Sequence, residues 1–148
     1  MTTIKSYTDL EQSRKLAEIL PLESADMCYK CIGEDPYDVC LRPYSEWREE
    51  YKGLLIAKEV DVIPCWSLAA LFSILPNEII TDNRFECHYQ IHIRQYDGGD
   101  NTTLYQIAYG NNRGLSGSWH DMINTGEKEN LVDCCVQMIL NLHEQNLL

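Results

Sequence analysis

FECHYQIHIRQY at Phe85–Tyr96, DGGDN at Asp97–Asn101 and TTLYQIAY at Thr102–Tyr109 decide the fold class. Phe85, Cys87, Tyr89, Ile91 and Ile93 alternate with Glu86, His88, Gln90, His92 and Arg94, the period of a strand with one buried and one wetted face. Asp97–Asn101 is turn chemistry, and Tyr105, Ile107 and Tyr109 share one side of the returning strand. Pairing Ile93 with Tyr105 and Ile91 with Ile107 puts both apolar sets on one face, whereas a one-residue slip would oppose them.

Upstream of the hairpin, Pro64–Leu75 is apolar nearly all the way round and bracketed by Pro64 and Pro76, which predicts a central buried helix with no solvent face. Thr8 and Glu11 fit a capping box opening a helix over Asp9–Leu20, which Pro21 ends. Met27–Ile32 and Tyr37–Leu41, joined by the turn Gly33–Pro36, predict a second hairpin. Ser45 can cap a short helix through Tyr51 that Gly53 closes, and Leu54–Val62 is a strand or an irregular approach to the central helix. Downstream, the Gly-, Asn- and Ser-rich Asn111–Thr125 predicts a loop with room for a short edge strand, and Glu127–Leu147 an amphipathic terminal helix. The expectation is one α+β domain over residues 1–148: an antiparallel sheet with N-terminal, central buried and C-terminal helices, a helix-sheet-helix sandwich.

The 148 residues carry 12 Lys plus Arg against 23 Asp plus Glu, a net charge of -11. Phosphate-rich partners are repelled by such a chain, and it has neither the basic run nor the basic helix that nucleic-acid or membrane-surface binding uses. No stretch approaches the ~18 apolar residues of a membrane span and the N-terminus lacks an export signal, so a cytoplasmic protein is expected. Seven cysteines, an odd number, then indicate reduced thiols more than a disulfide framework.

Three blocks, YTDLEQSRKLAEILPLESADM at Tyr7–Met27, IPCWSLAALFSILP at Ile63–Pro76 and NLVDCCVQMILNLHEQNLL at Asn130–Leu148, together resemble a family of small proteins of uncharacterised function from anaerobic gut bacteria and their phages or mobile elements. The order helix, strands, buried helix, strands, terminal helix is similar, more distantly, to the phage ABA sandwich domain, a helix-sheet-helix module of unknown function. The resemblance implies a mobile-element context and brings no catalytic residues. Where that family often has proline after the Asn opening the last block, this chain has Leu131.

Cys28 and Cys31 have zinc-chelating spacing, and Cys40, Cys87 and His88 are available as further ligands, but no second close pair exists and a strand would point Cys28 and Cys31 to opposite faces. The same pair lacks the helix N-terminus of a redox dithiol. Neither a metal nor another cofactor is therefore expected. Cys65 at the start of a helix, or Cys31, is the candidate nucleophile of an alternative cysteine-dependent enzyme, with His88, His92 or His120 as base. Packing accounts better for Cys65, Cys134 and Cys135. His88 and His92 lie roughly 13 Å apart on one strand face, too far for one metal. With Arg94 they form a polar stripe, and Trp119 and His120 stand in a loop where a bulky aromatic is a recognition anchor or a cap on the core.

His88, His92, Arg94, Trp119 and His120 are accordingly the candidate binding residues, with no catalytic set. The function expected is a non-enzymatic interaction module whose partner is another protein or a small ligand. An acidic inhibitor that imitates nucleic-acid charge is a further alternative, although -11 also serves solubility.

Overall fold

Eight residues on each side of the Asp97 turn pair in register in the computed structural model, which describes residues 4–56, 59–81, 87–113 and 117–148. The class is α+β and every strand pairing among the described residues is antiparallel, with the strands shared between two sheets instead of one. Contacts divide the chain into two compact units, Ser6–Phe72 and Ser73–Leu148 with Met1–Lys5.

In the first unit, α1 (Leu10–Ala17) begins one residue later than the sequence suggests. Asp9 is the N-cap, and Gln12 closes the capping box in place of Glu11. Thr8 is instead buried: its hydroxyl accepts from the Trp66 amide at 3.1 Å and shares a 2.8 Å hydrogen bond with Ser13. A buried hydroxyl must find partners within the protein, and here it has two. The helix stops at Ala17, short of Leu20.

Strands β1 (Met27–Ile32) and β2 (Asp38–Cys40) form the expected hairpin, and β3 (Val60–Cys65) pairs along the other edge of β1, giving the order β2-β1-β3. Their alternation sorts two clusters onto opposite faces, Met27, Tyr29, Ile63 and Cys65 on one and Cys28, Trp47, Val60 and Val62 on the other. Two short helices, α2 (Tyr44–Glu50) and α3 (Lys52–Ile56), bridge β2 and β3. Gly53 lies within α3 and does not close the preceding helix.

Pro64 and Cys65 belong to β3, which corrects the expectation of a helix over Pro64–Leu75; α4 spans only Leu68–Ile74. Pro64 is tolerated on an edge strand because its missing N–H is not needed there. Trp66 is fully buried, and its indole N–H donates to the Ser24 hydroxyl at 2.9 Å. Asp26 accepts from the Ser67 amide and hydroxyl, and Ser67 Oγ in turn accepts from the Ala70 amide, so Ser67 starts the helix. Leu71 and Leu75 are buried, but Ala69 and Ser73 face solvent, so this helix is one-sided.

The second unit is built on a sheet of order β4-β5-β6-β7: β4 (Glu78–Thr81), β5 (Cys87–Asp97), β6 (Thr103–Arg113) and β7 (Ser118–Asn124). Phe85 and Glu86, expected at the start of β5, lie outside the described residues. Ile93 pairs with Ile107 and Ile91 with Tyr109, two residues away from the expected register. The turn explains the shift. Asp97 Oδ1 accepts from the Gly99 amide, and Gly99, Asp100 and Asn101 all have positive φ, which makes a loop two residues longer than the shorter pairing needs. Because the side-chain period is two, the faces are unchanged.

Tyr89, Ile107, Tyr109 and Ile123 are buried on one face, while Ile93, expected with them, is 51% exposed. Helix α5 (Leu131–Glu144) packs on β6, with the Cys134 thiol donating to the Tyr105 carbonyl at 3.2 Å and Asn141 to the Asn124 carbonyl at 3.4 Å. Asn130 caps α5 through the Asp133 amide, a role that leaves position 131 free for an apolar residue.

Candidate functional site

Trp119 is not in a loop. The segment read as Gly-rich loop contains the end of β6 and all of β7, so alternation puts Trp119 and Asp121 on the sheet face that carries His92 and Arg94. The His92 imidazole and the Trp119 indole stack with centroids 3.6 Å apart and planes 12° from parallel.

Two small residues of the intervening strand make this contact possible. Ala108 is the β6 partner of His92, and Gly110 lies beneath the indole, where a Cβ would come within 2.8 Å of Trp119 Nε1 and overlap the His120 carbonyl oxygen. Any side chain at position 110 would push the indole off the sheet.

Asp121 joins the parts. Its carboxylate accepts two hydrogen bonds from the Arg94 guanidinium, at 2.8 and 2.6 Å, and one from the Trp119 indole N–H at 2.7 Å. Arg94 also donates to Gln106 Oε1 at 3.0 Å, which accepts from the Tyr96 hydroxyl at 3.1 Å as well. The Arg94 hydrogen bonds hold the Asp121 carboxyl below its ordinary pKa, and the same pair raises that of Arg94. The guanidinium and the indole are thereby both held by one carboxylate.

Around this cluster the face is open to solvent: His88, Gln90 and His92 are exposed, Tyr96 is 37% exposed and Ile80 on β4 54%. His88 pairs with Glu78 at 2.8 Å, one strand over, and is not part of the stack. His120 alternates to the side opposite Trp119 and stays exposed, so the adjacent Trp and His do not act together. Asp121 and Gln106 escaped the sequence reading, although the i, i+2 spacing of Trp119 and Asp121 would have marked them once β7 was known to be a strand.

Both candidate nucleophiles, Cys31 and Cys65, lie in strands. Cys65 ends a strand and does not open a helix; it is fully buried, its thiol lies 3.6 Å from the Thr8 carbonyl, and burial raises its pKa. Cys28 lies with Trp47 on one face of β1 and Cys31 on the other, its thiol donating to the Asp35 carbonyl at 2.7 Å. Among the described residues no three His, Cys, Asp or Glu side chains converge as metal ligands. Helices α2 and α3 line an open cleft of about 460 Å³ with Tyr44, Arg48, Glu49, Lys52 and Leu55, a wall of mixed charge. Among the described residues no helix is long and apolar enough to cross a membrane. No protein-family model matches this sequence, nor does any curated protein or solved structure.

Proposed function

We propose that this chain is a small non-enzymatic interaction protein of a bacterial or phage-derived genome, acting in the cytoplasm and binding another protein through the outer face of β5, β6 and β7. The observation that carries the reading is the prefixed cluster of His92, Trp119, Arg94 and Asp121 on an open sheet face. Trp, Tyr and Arg dominate the energetics of protein interfaces, and side chains already held in place lose little entropy on binding. An open sheet face suits a protein partner better than a small molecule, which needs a concave site. With a net charge of -11, the partner is expected to present a basic surface and to bind more slowly at high salt, and neither nucleic acid nor a membrane surface qualifies.

The test is affinity capture from a bacterial lysate by the wild-type chain and by Trp119→Ala and Arg94→Ala. A partner captured by wild type should bind each variant at least about tenfold more weakly, while far-UV circular dichroism is unchanged. If both variants retain full affinity for every captured protein, the face is not the binding surface.

A further inference from the structure

We propose that Cys28 and Cys40 are a thiol–disulfide exchange site, closing a reversible disulfide across the β1–β2 hairpin by reaction with a small-molecule disulfide of the glutathione type. The two residues are direct partners in the antiparallel register, Cys28 opposite Cys40. Such partners have Cα atoms about 4.5 to 5.5 Å apart and side chains on the same face, inside the range a disulfide spans. Cys40 packs against the buried cluster that contains Cys28. Both lie in the cluster of Trp47, Val60 and Val62, and the remaining thiols of this unit are elsewhere: Cys31 and Cys65 project from the other face of the sheet. Cys28 therefore has one cysteine neighbour on its face among the described residues of this unit.

Accessibility sets the order of events. Cys40 is half-buried and Cys28 is fully buried. The Cys40 sulfur attacks one sulfur of the oxidised small molecule; that S–S bond breaks, one thiol departs with the proton Cys40 gave up, and a mixed disulfide remains. The Cys28 sulfur then attacks the Cys40 sulfur, the mixed S–S bond breaks, and the second thiol leaves with the Cys28 proton. Two protein thiols are oxidised and one small-molecule disulfide is reduced to two thiols. Burial, with the Cys40 thiol alongside, pushes the Cys28 thiol up to about 12, so the second step is the slower and quickens as pH rises.

The full chain, equilibrated at neutral pH with oxidised and reduced glutathione in varied ratio, then alkylated and analysed by peptide mass mapping, decides the matter. The expected result is an intact mass, read before alkylation, lower by two hydrogen atoms, one linked peptide pair containing Cys28 and Cys40, and full reversal by dithiothreitol. Cys28→Ser should accumulate glutathione on Cys40, and Cys40→Ser should leave Cys28 unmodified. Failure of the wild-type chain to link, a link through Cys31 or Cys65, or glutathione persisting on Cys40 in the wild-type chain would each overturn the assignment, whether or not the serine variants fold.

Discussion

The His92 and Trp119 rings lie flat against each other, centroids 3.6 Å apart, although a whole strand separates the backbones that carry them. That relationship rests on the smallness of Ala108 and Gly110, so the middle strand is as much a part of the surface as the aromatic residues above it.

Gly110→Ala is expected to destabilise the chain by about 1 to 3 kcal/mol, because the new methyl meets a backbone carbonyl that cannot yield and an indole that can do so only by leaving its stack. Urea denaturation gives the stability change, and near-UV circular dichroism should report the altered tryptophan environment. An unchanged midpoint would mean that β7 relaxes freely where its register with β6 shifts, between Tyr109 and Gly110.

The Arg94–Asp121 pair is expected to couple by about 1 kcal/mol in a double-mutant cycle with Arg94→Ala and Asp121→Asn, more than a typical exposed pair because two parallel hydrogen bonds fix its geometry. Its pH dependence follows from linkage. The folded carboxyl titrates below its ordinary value of 3.8, so the contribution is complete above that value and disappears as pH falls through the lowered pKa. Asp121→Asn should flatten the acid limb of the wild-type stability profile.

Thr8→Val keeps the shape of the side chain but leaves the buried Trp66 amide and the Ser13 hydroxyl each short of a partner. A loss of about 1 to 3 kcal/mol is expected in urea denaturation, with Thr8→Ser recovering part of it. Were Thr8 merely an exposed helix cap, the serine variant would match wild type.

Burial pushes the Cys28 and Cys135 thiols up to about 12. At neutral pH almost none of either thiol is then ionised, so both should label with iodoacetamide far more slowly than an unfolded control. The sign for stability is the reverse of Asp121. A folded-state pKa above the unfolded one contributes stability that is complete below pH 9, the ordinary thiol value, and is lost as pH rises toward 12. Replacing Cys135 by alanine should reduce that alkaline loss while lowering stability at neutral pH.

Local chemistry was enough to read the α+β class, both hairpins, the strand character of β1 and β5, and which side of β5 is polar, because alternation and turn residues act over a few positions. It also placed Cys28 and Cys31 on opposite faces. What the chain did not disclose depends on partners distant in sequence. Pro64–Leu75 has the composition of a buried helix, yet pairing with β1 draws Pro64 and Cys65 into a strand, since a paired backbone outweighs helix propensity. The two-residue shift of the long hairpin was decided by the Asp97 side chain in the turn, to which hydrophobic periodicity is blind. Trp119 reads as a loop residue because glycines surround it; only the fourth strand carries it over Gly110 to His92 and brings Asp121 to Arg94. Residue types are local properties, but the contact between rings on two strands exists only once a third strand has set their spacing.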